Sequence, residues 1–183
     1  MVRKSMMACG LAFAVTALAA GPASAMDADC LWRNIDAAER TALDAAIASG
    51  PSGVAAYDID GVDGRAWRHA CGVTSTTQDQ AIKLLATFAL EKAALSGLAA
   101  TVPGAPEQLR TAWSAWAPAE RDSLVRLGAV MARQEDPPQA DWDAIHPLVI
   151  RVSKELGLTD KAQLELLLSY IAARGMRASL EAS

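Results

Sequence analysis

The sequence has few of the residues that build metal and nucleophile sites. It contains only two histidines and three cysteines, and it has no Cys-x-x-Cys or His-Glu-x-x-His spacing that would indicate a zinc site. It also lacks a glycine-rich phosphate loop, a dinucleotide-binding fingerprint and a Gly-x-Ser-x-Gly nucleophile elbow. The sequence therefore singles out no catalytic residue, and we expect no resident metal ion and no cofactor.

Basic residues are also in short supply. The 183 residues include 17 Lys and Arg against 21 Asp and Glu, which gives a formal net charge of -4. A protein that grips nucleic-acid phosphates needs a concentrated excess of cations, so we expect no nucleic-acid partner. The apolar fraction of 52% is too high for a disordered chain, and the length fits one ordinary domain.

The first 25 residues have the pattern of a secretory signal peptide. Arg3 and Lys4 precede an uncharged apolar run over residues 6–20, and Ala-Ser-Ala at residues 23–25 is a small-x-small cleavage site. The run of about 15 residues is shorter than the roughly 20 that a membrane-spanning helix needs, which argues against the alternative of an uncleaved anchor. We predict cleavage after Ala25 and a periplasmic or secreted product.

The predicted mature chain covers residues 26–183 and is more acidic than the whole sequence. Loss of Arg3 and Lys4 leaves 15 basic against 21 acidic residues, a formal net charge of -6. No other stretch approaches membrane-spanning length without charged residues, so we expect no stable membrane span after cleavage. Residues 26–183 are predicted to form a single α-helical domain.

Two cysteines, Cys30 and Cys71, remain in the predicted mature chain. In an oxidising compartment such a pair predicts one disulfide, here closing a loop of about 40 residues. On the loop-entropy model this bridge stabilises the fold by about 3–4 kcal/mol. The alternative is a reactive Cys71 thiol with His69 two residues away. The disulfide is favoured, because the base of a nucleophilic cysteine usually comes from a distant part of the chain.

Helical periodicity dominates the mature chain, where apolar residues recur at steps of three and four. Residues 54–59 are the nearest candidate for a strand, but the stretch is short and flanked by glycine. We therefore predict an all-α fold, a compact bundle or orthogonal array of five to seven helices with one irregular, disulfide-tethered loop region over residues 51–72. Predicted helices begin near Asp36, Thr77, Glu107, Pro118, Asp141 and Thr159. Glu39 is predicted to complete a capping box with Asp36. Pro147 is predicted to interrupt or kink the fifth helix.

The predicted loop region carries three aspartates, Asp58, Asp60 and Asp63. An EF-hand loop that starts at Asp58 needs an acidic residue at position five, glycine at six and glutamate at twelve. The sequence has valine, aspartate and histidine at those positions, so the motif fails. We interpret the three aspartates as a solvated acidic turn, with a non-standard calcium site as the alternative.

The same region holds Trp67 between two arginines, Arg65 and Arg68. Guanidinium groups beside an indole can hold a carboxylate, a sugar or a partner surface, and long loops often carry function. The sequence therefore gives Trp67, Arg65 and Arg68 as a candidate binding surface. The favoured interpretation of Trp67 itself is a buried side chain with the arginine stems lying across the protein surface, because a buried tryptophan is usually structural.

Residues 32–43 and 113–124 share Trp, Ala, Glu, Arg and Leu at the same offsets, and a looser copy begins at Trp142. An ancestral duplication would account for the likeness, but it would need wider self-similarity. A recurrent helix start is the favoured interpretation, because glutamate in a first turn meets the free N–H groups there.

Function is not fixed by any of these patterns. The leading hypothesis is a small exported helical domain that binds a ligand or a protein partner, or has a structural role, in the cell envelope. The alternative is an exported hydrolase with carboxylates on helices, for which Glu39, Glu91 and Glu120 lie near aromatic residues but are not ranked by their spacing. A third hypothesis is a subunit whose apolar faces are covered only in an oligomer.

Overall fold

A computed structural model of the protein describes residues 26–183. The predicted signal peptide over residues 1–25 lies outside the described part of the chain. The described residues form nine α-helices and one short 3-10 turn, Ile59–Gly61, and contain no strand. The predicted all-α fold is therefore confirmed.

Six of the nine helices are long, with 11 to 24 residues, and three have only six residues each. In chain order they are α1 (Ala28–Arg33), α2 (Ala37–Ala48), α3 (Pro51–Ala56), α4 (Arg65–Ala70), α5 (Gln78–Thr101), α6 (Ala105–Ala115), α7 (Pro118–Ala132), α8 (Gln139–Glu155) and α9 (Lys161–Ala182).

The six long helices match the six predicted helix starts, and the three short helices bring the count above the expected five to seven. A helix of six residues completes fewer than two turns, so it leaves no periodic pattern in the sequence. Two of the short helices, α3 and α4, lie in the region predicted to be irregular. Helix α8 runs through Pro147 without the interruption that the sequence suggested.

The caps of α2 and α9 show where sequence reasoning was right and where it was wrong. The Asp36 side chain accepts a hydrogen bond from Ala38 N at 2.8 Å, as a cap should. Glu39 does not complete the predicted capping box, because its Oε1 accepts instead from Asp63 N at 2.8 Å. Asp160 caps α9 by accepting from Gln163 N at 2.8 Å.

The buried side chains form two clusters that share helices α5 and α9. The N-terminal cluster is built from α1 to α4, the first half of α5 and the end of α9. The C-terminal cluster is built from the rest of α5 and from α6 to α9. Large members of the first are Leu31, Leu43, Trp67, Leu84 and Leu85, and of the second Leu98, Leu109, Leu127, Leu148 and Tyr170.

A disulfide between Cys30 and Cys71 ties the N-terminal cluster together, as predicted. The two sulfurs are 2.07 Å apart and the two Cα atoms 5.8 Å apart. The bond joins α1 to the residue after α4, so it ties the end of the region predicted to be irregular to the first helix.

Two glycines set the distance between α7 and α9 in the C-terminal cluster. A β-carbon at Gly128 would overlap the backbone of Gly175, and a β-carbon at Gly175 would lie 2.5 Å from the carbonyl oxygen of Leu124. Only residues without a side chain allow backbones to approach so closely.

Helix α5 is the centre of the described structure and packs against α1, α2, α3, α6 and α9. It is the one helix of residues 26–183 that is long and apolar enough to cross a membrane by length and composition. Half of that apolar stretch is buried inside the protein, as expected for the central helix of a core.

Candidate functional site

The candidate surface of Trp67, Arg65 and Arg68 does not form as the sequence suggested. The Trp67 side chain is completely buried, and its Nε1 donates a hydrogen bond to Leu31 O at 3.1 Å. Arg65 is exposed and paired with Asp63, its Nε lying 2.7 Å from Oδ2, and Arg68 is also exposed. The arginines therefore flank a core residue, which is the interpretation that the sequence favoured for Trp67.

No acidic cluster in the described residues is arranged as a metal site. Of the three aspartates in the irregular region, Asp63 is the one held in place, because its carboxylate accepts from both the backbone and the side chain of Arg65. These hydrogen bonds lower the pKa of Asp63. Asp58, Asp60 and Asp63 are all exposed to solvent.

The three glutamates proposed for the hydrolase hypothesis lie in different surroundings. Glu39 bonds to the backbone of Asp63. Glu120 accepts from Ala117 N at 2.9 Å at the start of α7 and pairs with Arg151 at 2.8 Å, which lowers the pKa of Glu120. Of these three glutamates, only Glu91 lines a cavity whose wall also contains several basic side chains.

Glu91 lies at the wall of what we call the central cleft, defined by Glu91, Arg110, Trp113, Arg174 and Arg177. The cleft is formed by α5, α6 and α9 where the two buried clusters meet. It consists of two adjoining cavities of about 600 Å³ and about 210 Å³, and both are lined by Glu91, Arg110 and Arg177.

Arg177 lies at the base of the central cleft and donates hydrogen bonds to three carboxylates. Its Nε donates to Glu181 at 2.7 Å, one terminal nitrogen to Asp29 at 3.1 Å and the other to Glu91 at 3.4 Å. The guanidinium also lies 4.8 Å from the centre of the Phe88 ring. Because α1, α5 and α9 all contribute partners, Arg177 fixes the geometry of the cleft and has little capacity left for a ligand.

Arg174 is in the opposite situation. Its guanidinium stacks over Trp113, 4.6 Å from the ring centre, and one nitrogen lies 3.9 Å from Glu91 Oε2. It donates no hydrogen bond to any residue of the described chain. A guanidinium has five N–H donors in a planar fork that suits a carboxylate or a phosphate. Arg174 is therefore positioned by stacking and free to donate.

The carboxylate of Glu91 is buried beside these cations. Its side chain is 9% exposed, and burial raises its pKa against the opposing effects of Arg174 and Arg177. Oε2 faces the two arginines, whereas Oε1 accepts no hydrogen bond from the described residues. An oxygen in this position can accept a hydrogen bond from a bound molecule.

Tyr170 also lines the smaller cavity. Its hydroxyl donates to Leu109 O at 3.3 Å, and burial raises the pKa of Tyr170 to about 12, with the charge of Glu91 adding to the effect. The phenol therefore stays neutral at physiological pH, and its hydrogen bond joins α9 to α6.

The walls of the central cleft are cationic although the protein is acidic. Lys92, Arg110, Arg174 and Arg177 line its two cavities with only two acids, Asp29 and Glu91. Lys92 Nζ lies 4.3 Å from the centre of the Trp32 ring and forms no ion pair among residues 26–183. Within the described part of the chain, Arg110 pairs only with the exposed Glu107, at 3.1 Å. The cleft therefore has cations that an anionic ligand can engage without breaking a buried pair.

A second concavity, between α8 and α9, contains an aspartate, a histidine and a serine but no catalytic triad. Asp143 accepts from Gln139 Nε2 at 2.9 Å, and Ser153 donates to Ile150 O at 2.9 Å. His146 and Ser153 are seven residues apart on one helix, or about 10 Å, which is beyond hydrogen-bond reach.

Sequence reasoning named Glu91 but missed Arg110, Arg174, Arg177 and Tyr170. The signal that could have found the α9 residues is the i, i+3 spacing of Arg174 and Arg177 next to Gly175. This spacing places two cations on one helix face beside a residue that marks a close approach. Their partner on α5 could not be read from the sequence, because it lies more than 80 residues away.

Comparisons of the chain with protein-family models, with curated proteins and with solved structures find no match. The site's own geometry therefore carries the functional argument.

Proposed function

We propose that the protein is a small exported binding protein whose central cleft holds a small anionic ligand. The observation that carries this proposal is Arg174, a guanidinium held over Trp113 with no hydrogen bond to the described chain, in a cleft lined by four cations and two acids. Preformed clefts with a few convergent polar groups are the usual sites of small-molecule binding.

The cleft also defines the chemical class of the ligand. An anionic group, carboxylate or phosphate, would sit between Arg174 and Arg110, where planar donors converge. Glu91 Oε1 would accept a hydrogen bond from a hydroxyl or ammonium group of the same ligand. Phe88, Leu95 and Pro106 line the larger cavity and would contact an apolar body. The ligand is thus a small amphipathic anion with one hydrogen-bond donor.

Export is part of the same proposal. It rests on the signal-peptide pattern of residues 1–25 and on the Cys30–Cys71 disulfide, which suits an oxidising compartment. Expression of the full chain in a host with a periplasm, followed by intact-mass measurement of the periplasmic fraction, should give a product that starts at Met26 with no free thiol. A full-length product in the membrane fraction would reject export of a cleaved domain.

The ligand proposal is tested by calorimetric titration of residues 26–183 with benzoate, phenyl phosphate and phenylalanine. We expect binding by at least one probe and a loss of about tenfold to a hundredfold in affinity in Arg174→Gln, since charge-assisted hydrogen bonds contribute about 1.5–3 kcal/mol. Arg68→Gln, an exposed arginine of the surface first suggested by the sequence, is the matched control and should bind normally. Equal affinity in both variants would place the ligand elsewhere.

One observation favours a second candidate, the exported hydrolase. Glu91 has a raised pKa, as a general acid requires, and Arg177 bridges it to a second carboxylate, Asp29. Glu91 would protonate the leaving group while Asp29 takes a proton from water. Binding is the better-supported proposal, because Arg177 occupies both carboxylates. If the protein hydrolyses a glycan, peptide or ester and Glu91→Gln loses that activity, the hydrolase becomes the better-supported proposal.

A further inference from the structure

The groove between α8 and α9 has a largely apolar lining. It has a volume of about 500 Å³ and is lined mainly by Trp142, Val149, Ile150, Leu164 and Leu168. Ile150 is 39% exposed and Leu168 is 40% exposed. They are the large apolar side chains that stay exposed in residues 26–183, and both lie on this one groove. Contiguous exposed apolar surface of this kind marks an interaction site.

One edge of the groove has a symmetric sequence pattern. Asp143, Pro147, Ile150 and Lys154 follow one another at steps of four, three and four residues, so they share one face of α8. Reversing the direction of the helix leaves this spacing unchanged. A second α8 in antiparallel orientation would therefore bring Asp143 opposite Lys154 and Pro147 opposite Ile150.

Charge and dipole favour that antiparallel pairing. Two acidic residues, Asp141 and Asp143, lie at the start of α8. Its last turns carry Arg151, Lys154 and Glu155, and Arg151 already pairs with Glu155 and with Glu120 of α7, so Lys154 is the cation that can face a second copy. Two antiparallel copies place opposite charges together at both ends, and their helix dipoles are also opposed. Lys154 has no ion-pair partner among residues 26–183, so it is available to a second copy.

We propose that this groove is the interface of a symmetric homodimer, with the α8 edge of one copy packed antiparallel against that of the other. Ile150 of each copy would pack against Pro147 of the other at the edge of the groove, and the two symmetric contacts are those of an isologous interface. The exposed Leu168 would lie beside them. The patch is about 20 Å long and two helices wide, which is smaller than a stable specific interface and in the range of weak, transient ones. The dimer is therefore expected to dissociate in the micromolar range. This proposal is independent of the central cleft, which lies at α5, α6 and α9.

Sedimentation equilibrium of residues 26–183, from about ten to several hundred micromolar, tests the dimer. We expect a monomer–dimer equilibrium in the wild type and an increase of about a hundredfold or more in the dissociation constant of Ile150→Glu, which would bury a charge in the groove. Ala100→Glu adds the same charge to an exposed position of α5 and should leave the equilibrium unchanged. A wild type that stays monomeric throughout would overturn the proposal.

The antiparallel register is tested by exchanging charges. Asp143→Lys and Lys154→Glu should each raise the dissociation constant about threefold to thirtyfold, because each pair occurs twice in the dimer. The double variant restores opposite charges and should recover most of the wild-type affinity. Circular dichroism of all variants should match the wild type, since both positions are exposed. Failure of the double variant to recover affinity, or insensitivity of the dimer to Ile150→Glu, would overturn this interface.

Discussion

The N-terminal and C-terminal clusters bury similar kinds of side chain but are assembled from helices of different length. Three of the N-terminal helices, α1, α3 and α4, have six residues each, whereas those that form the C-terminal cluster have 11 to 24. Helices of six residues are far below the length at which a helix is stable alone. The disulfide lies in the cluster with short helices, and the C-terminal cluster relies on close packing instead.

This difference has a consequence for the central cleft. Asp29 comes from α1 in the N-terminal cluster, whereas Arg174 and Arg110 come from helices of the C-terminal cluster. Arg177 bonds to Asp29 and Glu91 and so joins the two clusters at the floor of the cleft. The site is therefore sensitive to how the clusters are held.

Removal of the disulfide should have the largest effect and should act on one cluster. We expect the double variant Cys30→Ala, Cys71→Ala to lose about 3–4 kcal/mol of unfolding free energy. Hydrogen exchange should show faster exchange in α1, α2, α3 and α4, with α7 and α9 still protected. Equal loss of protection in both clusters would contradict the division drawn above.

Gly128→Ala should cause the next largest loss of unfolding free energy, and this loss should arise in the C-terminal cluster. A methyl group there would overlap the backbone of Gly175, so α7 and α9 must separate, at a cost of about 1–3 kcal/mol or more. Urea unfolding gives the value. Gly97→Ala is the matched control, because its β-carbon would meet only the flexible end of Leu166 and alanine favours a helix. A Gly128→Ala protein as stable as Gly97→Ala would show that the contact is not tight.

Two glutamates should change stability with pH in opposite directions. The pKa of Glu91 is raised above 4.5, so the native state keeps a proton that the unfolded chain releases, and the contribution of Glu91 to stability falls as the pH rises above about 4.5. The pKa of Glu120 is lowered by Arg151, so its contribution is complete above about 4.5 and is lost as the pH falls towards its native pKa.

Unfolding free energies of the wild type, Glu91→Gln and Glu120→Gln between about pH 3 and about pH 7 measure both effects. The difference between wild type and Glu91→Gln should decrease as the pH rises, and the difference between wild type and Glu120→Gln should increase. Two differences that change in the same direction would show that burial does not dominate at Glu91.

The smallest change in unfolding free energy is expected for substitution of Arg65, which lies on the surface of the N-terminal cluster. Its ion pair with Asp63 is exposed to water, where such pairs contribute little. Arg65→Gln should leave the midpoint of urea unfolding unchanged within error. A clear loss would show that this surface stabilises the short helices.

The parts of the fold that could be predicted are those with a long periodic signal. Helices α5, α7 and α9 each carry apolar residues at repeated steps of three and four, and the cysteine pair needed only an oxidising compartment to predict the bond. Helices α1 and α3 left no pattern, since six residues do not complete two turns. The capping box at Glu39 failed because Asp63, distant in sequence, offered its backbone N–H as a competing donor.

The candidate site was less predictable than the fold. Glu91 was one of three glutamates near aromatic residues, and only burial and the arginines of α9 distinguish it from Glu39 and Glu120. The sequence left two interpretations of Trp67 open, a binding surface and the core. A tryptophan between two arginines is compatible with both, because neither neighbour shows whether the indole is buried. Such choices depend on contacts between distant segments, which residue types and spacing do not reveal.

The most direct test of the central claim is the nitrogen-15 spectrum of the arginine side chains during titration with benzoate, phenyl phosphate or phenylalanine. We expect the Nε–H signals of Arg174 and Arg110 to shift with a single saturating curve. That of Arg177, already bonded to three carboxylates, should move little. Shifts confined to Arg65 and Arg68, or no shift at Arg174 when a probe binds, would contradict the assignment of the central cleft as the ligand site.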